Sequence, residues 1–100
     1  MGNLFLPYAI GRLKIRNRFV RSATTSGWAD RGGIVGPEIV ERYEDLAAGG
    51  VGLIVKGHLY VDPKGKAYSG MAGISDVKHI PGLAKVAEGV HACGGRIVAQ

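Results

Sequence analysis

Cys93 is the only cysteine among 100 residues, so no internal disulfide can form and a reducing, cytoplasmic setting is expected. It falls in a helical pattern near His91, and that spacing supplies no further metal ligands, so no metal site is expected. No apolar run approaches the roughly 18 residues of a membrane-crossing helix. The opening MGNLFLPYAI has neither the basic start nor the long apolar centre of a secretory signal, and Leu6 stands where a myristoylation signal after Gly2 needs Ser or Thr. Carboxylates are scarce as well: eight Asp and Glu stand against thirteen Lys and Arg, a formal charge of +5. The cations are scattered, the densest group being Arg12 to Arg18 with apolar residues between. No base-reading motif accompanies them, so neither nucleic acid nor a membrane is the expected partner.

What is present is punctuation and short apolar runs. There are 17 glycines, and 46% of residues are hydrophobic, as in an ordinary globular chain. Residues 8 to 16, YAIGRLKIR, alternate loosely around Gly11 and read as a hairpin. Phe19 to Ala23 reads as a first core strand, followed by a Gly-rich loop from Gly27 to Gly36 that carries Trp28 and Asp30. Pro37 opens a helical pattern in which Ile39, Val40, Tyr43, Leu46 and Ala47 share a face, and Gly49-Gly50 ends it. Val51 to Val55 is too short for a helix and almost wholly apolar, as expected of a strand buried on both faces. A loop from His58 to about Lys78 follows. Pro81 then opens a second helix with Leu83, Val86, Ala87 and Val90 on one face, Gly94-Gly95 closes it, and Arg96 to Gln100 begins a third strand.

The unit "Pro-started helix, Gly-Gly, apolar strand" thus occurs twice, which predicts βαβ crossovers and a parallel sheet. A doubly wound nucleotide fold asks for G-x-G-x-x-G between the first strand and the first helix. Gly27, Gly32, Gly33 and Gly36 do not fit that spacing, and Gly50-Val51-Gly52 precedes a strand. The expected fold is therefore α/β, a partial (β/α)8 TIM barrel: the 8–16 hairpin plus about two and a half βα units. A complete barrel takes about 250 residues, so residues 1–100 read as the N-terminal fragment of one.

Barrel chemistry comes from the C-terminal ends of strands. That rule selects Ser22 to Thr25, Lys56 to His58, and Gln100. Ser22, Ala23, Thr24 and Thr25 offer hydroxyls and open backbone to a planar ligand, or they simply cap a strand. Gly57 permits close backbone approach or is a bend. Lys56 reads as an anion contact or a solvated, snorkelling side chain. His58 lies on the functional rim, whereas His91 falls on a helix and reads as structural. Gln100 carries an amide that, if buried, must be paired, and it matches a ring with adjacent N–H and C=O. Trp28 reads chiefly as a cover for the sheet edge.

Taken together, LFLPYAIGRLKIRNRFVRSATT resembles the N-terminal segment of the old yellow enzyme family of NADH:flavin oxidoreductases, with its L-F-x-P-x-x-I-G-x-L-x-x-x-N-R lead. YEDLAAGGVGLIVKGHLYVDPKG resembles that family's first helix and second strand, and GISDVKHIPGLAKVAEGVHACGGRIVAQ its second helix and third strand. The resemblance implies a barrel that holds FMN non-covalently, is reduced by NADH or NADPH, and passes hydride to an activated alkene or related small-molecule acceptor. By position it implies that Ala23, Thr24 and Thr25 border the flavin, that Gly57 or His58 gives a main-chain contact, and that Gln100 bonds the pyrimidine edge. Ala23 replaces the proline of many members, and Lys56 stands at a site more often uncharged. No catalytic residue is assigned, because the family's phosphate grip, substrate grip and proton donor lie beyond Gln100. Alone, the 100-residue chain is expected to be inactive and to be either weakly stable or associated with itself as a homo-oligomer. Two other readings remain at this stage: a non-catalytic structural or binding fragment, and a non-flavin barrel enzyme that takes a phosphorylated substrate.

Overall fold

The computed structural model describes residues 2–100 as a mixed α/β assembly. Strands β1 (Tyr8–Ile10) and β2 (Leu13–Ile15) form an antiparallel hairpin. Its turn needs Gly11, whose φ of 59° lies in the left-handed region that glycine enters without steric cost. The chain then passes through β3 (Val20–Arg21), α1 (Pro37–Ala48), β4 (Leu53–Lys56), β5 (Leu59–Tyr60), β6 (Ala72–Gly73), α2 (Ile80–Ala92) and β7 (Arg96–Ala99). β3, β4 and β7 make one parallel sheet in that spatial order, with Val20 opposite Leu53 and Ile54 opposite Ile97.

Both helices begin at proline-bearing first turns, where the missing N–H costs nothing. α1 buries Ile39, Tyr43 and Ala47, spaced four apart, and α2 buries Gly82, Val86 and Val90 at the same spacing. These stripes close over Ile54 to form the core with Val35, Leu59 and Ala72. Each fully buried aliphatic side chain there contributes about 1.5–3 kcal/mol. Val40, Leu46, Leu83 and Ala87, expected on the buried faces, are half-buried at the edges of the stripes.

Several boundaries differ from the sequence expectation. The first strand pairs only over Val20–Arg21, the second runs Leu53–Lys56, and Cys93 lies just past the end of α2. The segment expected to be loop from His58 to Lys78 contains β5 and β6, which pair in parallel, Leu59 with Ala72 and Tyr60 with Gly73. Two residues per strand are too few for alternation to show. Buried His79 ties this region to the Gly-rich loop. The Asp76 backbone N–H donates to its Nδ1 at 3.2 Å, so Nε2 carries the hydrogen and donates to the Gly32 carbonyl at 2.7 Å. The Tyr60 hydroxyl donates to the same carbonyl at 3.1 Å.

At the opposite end Arg16 gathers backbone carbonyls from three segments. Nη1 donates to the Cys93 carbonyl at 2.6 Å; Nη2 donates to the Ala47 carbonyl and, at 3.1 Å, to that of Val51. Neighbouring Asn17 donates from Nδ2 to the Gly50 carbonyl at 2.6 Å. A cation placed at two helix C-termini also meets the negative ends of both helix dipoles.

Arg16→Met should therefore lower stability by about 2–4 kcal/mol, because three carbonyls lose a charged donor at once. Arg16→Lys should recover less than half of that, since an ammonium cannot fan across three acceptors. Urea denaturation checks both, and a variant as stable as wild type would remove Arg16 from this role. Val20 and Val98, on the sheet face turned away from the helices, are 53% and 41% exposed. The 100-residue chain is accordingly expected to self-associate with rising concentration, and light scattering that shows a monomer throughout would contradict this.

Candidate functional site

Because β3, β4 and β7 run in parallel, their C-terminal ends emerge at one rim. The Gln100 backbone N–H donates to the Lys56 carbonyl at 3.2 Å, and the Leu59 N–H donates to the Gln100 carbonyl at 2.8 Å. Gly57 lies so close to the end of β3 that an added Cβ would stand 2.6 Å from the Thr24 nitrogen and 2.8 Å from its carbonyl oxygen. No other residue fits there without moving that backbone. Thr25 Oγ1 is 3.1 Å from His58 Nδ1. The six residues singled out from the sequence, Ala23, Thr24, Thr25, Gly57, His58 and Gln100, thus occupy one neighbourhood. Thr24, Thr25 and Gln100 are exposed, Ala23 and His58 half-buried, and Gly57 buried. Thr24 Oγ1 donates to the Ser22 carbonyl at 3.0 Å, which keeps the strand end turned back on itself.

Sequence reasoning missed Tyr68. It reaches this rim from the loop between β5 and β6, its hydroxyl 3.2 Å from His58 Nδ1 and its ring edge-on to the imidazole at 6.4 Å between centroids. A lone tyrosine in GKAYSG has no periodicity to mark it. His91 and Trp28 do not join the group. His91 is exposed on α2, and Trp28 is half-exposed under the Arg42 guanidinium of α1, 5.1 Å from its ring centre.

Lys56 overturns an expectation. It is not a solvated side chain but 3% exposed, its Nζ donating to the Gly57 carbonyl at 3.0 Å and lying 5.4 Å from the Tyr43 ring centre. Register explains this: Lys56 follows Ile54 by two residues and so points to the same, helix-covered face. Arg21, opposite Ile54, shares that face and lies 5.7 Å from the same ring, with Nη1 buried and unpartnered. Burial, together with the Arg21 charge, lowers the Lys56 pKa from 10.5 to about 8. The aromatic face offers both cations partial compensation. Among the described residues no group of three His, Cys, Asp or Glu side chains could hold a metal ion, and no helix is long and apolar enough to cross a membrane.

A parallel sheet with helices packed on one face and its strand ends at a shared polar rim is an α/β arrangement of the kind in which ligands commonly meet the strand ends. The sequence profile of the NADH:flavin oxidoreductase / NADH oxidase family matches residues 3–100, and the chain belongs to that family. A metal reductase of Desulforamulus reducens is 41% identical over 100 residues, covering all of this chain and 15% of that protein. The structure of a 2-naphthoyl-CoA reductase with 2-naphthoyl-CoA superposes with a TM-score of 0.94 at 33% identity, over 98% of this chain and 15% of that one. An old yellow enzyme homologue from Zymomonas mobilis superposes at 0.90 and 26% identity, over 98% and 27% respectively. The chain therefore spans about 15 to 27% of the length of these proteins.

The Lys56 shift has a consequence for stability. A folded-state pKa near 8 against 10.5 means that the unfolded chain holds this proton more tightly. Stability should rise with pH between about 8 and 10.5 and stay flat, at its lower value, below 8. Wild type should gain on the order of 2–3 kcal/mol relative to Lys56→Met across that window. Urea midpoints of both proteins at pH 7.5 and 10 measure the difference, and parallel curves would refute it.

Proposed function

We propose that residues 1–100 form the opening part of a (β/α)8 barrel, with the 8–16 hairpin preceding the first barrel strand. In this reading the barrel belongs to an FMN-dependent oxidoreductase that takes hydride from NADH or NADPH and passes it to an activated alkene or related acceptor. The observation that carries it is the convergence of Thr25, Gly57 and Gln100 at one rim. Three strand ends from distant parts of the chain present an unbranched amide, two hydroxyls and a side-chain-free backbone on one side. The exposed β-branched Val20 and Val98, on the face away from the helices, suit the filled interior of a barrel.

The donor set fits a flavin ring. Gln100 would bond the ring's adjacent N–H and C=O groups, and Thr25 would meet the neighbouring carbonyl. Ala23, Thr24 and the Gly57–His58 backbone would border the edge. When bound, FMN supplies the hydride chemistry itself. The protein's part here is to orient the ring and to stabilise the negative charge that reduction places on it. Arg21 and Lys56, both packed against the Tyr43 ring, raise the positive potential near that rim. The grip on the ribityl phosphate and the proton donor are not assigned to these 100 residues, and the chain on its own is inactive in this reading.

The protein expressed from its entire reading frame should retain FMN through purification and show the flavin absorption bands. Gln100→Leu should weaken FMN binding about tenfold, the worth of one well-placed amide. A wild-type protein that is colourless and leaves FMN fluorescence unchanged would end the flavin reading.

A further inference from the structure

His58 Nδ1 has two hydroxyls within reach, Thr25 Oγ1 at 3.1 Å and Tyr68 Oη at 3.2 Å. A ring nitrogen has one in-plane valence: a lone pair or a hydrogen, never both. The two hydroxyls therefore compete. If Nδ1 is bare, the phenolic O–H is the more acidic and hence the stronger donor, and it takes the lone pair. Thr25 then keeps its own hydrogen for the open side of the rim. If Nδ1 carries a hydrogen, it donates to one oxygen or the other, and the Thr25 hydrogen again stays free. Only the loss of Tyr68 lets a bare Nδ1 capture the Thr25 hydrogen, which would turn the threonine's lone pairs outward.

We propose that Tyr68 is a positioning residue: by occupying His58 Nδ1, it makes Thr25 a hydrogen-bond donor toward whatever binds at the rim. The inference rests on the flavin reading for the identity of that acceptor, a ring carbonyl whose negative charge grows on reduction. It assigns a purpose to the reach of the β5–β6 loop, which brings a half-buried tyrosine to a histidine ten residues earlier. The edge-on packing of the two rings, 76° between planes, keeps the hydroxyl directed at the nitrogen.

A double-variant cycle through Thr25 is the test. In the flavin-loaded protein from the entire reading frame, Tyr68→Phe should weaken FMN binding about fivefold and shift the flavin reduction potential in the negative direction. In a Thr25→Val background the same change should alter the affinity by less than about twofold, because the tyrosine acts only through that hydroxyl. Loss of a merely structural tyrosine would weaken binding further in that background. An unchanged Tyr68→Phe, or a double variant clearly weaker than Thr25→Val alone, overturns the proposal. A second measurement is independent of flavin: in the ¹⁵N-histidine-labelled protein from the entire reading frame, without FMN and with neutral imidazole, Tyr68→Phe should move the His58 Nδ1 resonance more than Thr25→Val does. The opposite order overturns the hydroxyl competition. A wild-type protein that takes up no FMN removes the flavin reading, and this resonance then decides the competition alone.

Discussion

One guanidinium holds the lower end of this molecule together. Arg16 accepts nothing and donates to carbonyls of Ala47, Val51 and Cys93, groups that belong to the end of α1, the approach to β4 and the turn after α2. The Val51 and Cys93 carbonyls lie in turns that follow helix ends, and that of Ala47 accepts the Gly50 N–H at 3.0 Å as well. Held by one planar cation, the two helices end at the same level, so the strands that follow them start at the same level. β4 and β7 then run in register from Leu53 opposite Arg96 to Lys56 opposite Ala99. The rim at the far end is the consequence, because strands that start level and run parallel also finish level.

The upper end trades in charge. β4 is apolar until its last residue, and that residue is Lys56, turned toward the helices beside Arg21 and Tyr43. Desolvating an ammonium costs free energy unless the group sheds its proton or finds electron-rich partners. Here it does some of both: a lowered pKa, a carbonyl one residue on, and an aromatic face. Positive potential is thereby left close to Gly57 and Gln100. Together with the exposed Thr24, Thr25 and Gln100 it gives the rim both hydrogen-bonding groups and a positive field.

Much of this was legible in the residue order. Two repeats of proline, helix, Gly-Gly and apolar strand sufficed to predict both helices and the parallel order of the sheet, since each signal is local: proline sets φ, glycine ends the helix, and a fourfold spacing selects the face. The positions at the strand ends followed from the rule that barrel chemistry gathers there. What stayed hidden was whatever depends on partners far along the chain. Lys56 read as solvated because its register against α1 was not visible. β5 and β6 are too short to alternate, and His79 acts through Gly32, forty-seven residues away.

By itself, then, the sequence determined the class of the fold, through patterns that recur every few residues, and the family to which the chain belongs, through several ordered motifs along its length. Only the tertiary structure decided which side chains meet. Tyr68 reaches His58 because two separate loops are zipped together by Leu59–Ala72 and Tyr60–Gly73 pairing. Arg16 finds its carbonyls because two helices end side by side. Such meetings are set by packing across the whole core, and no local pattern encodes them.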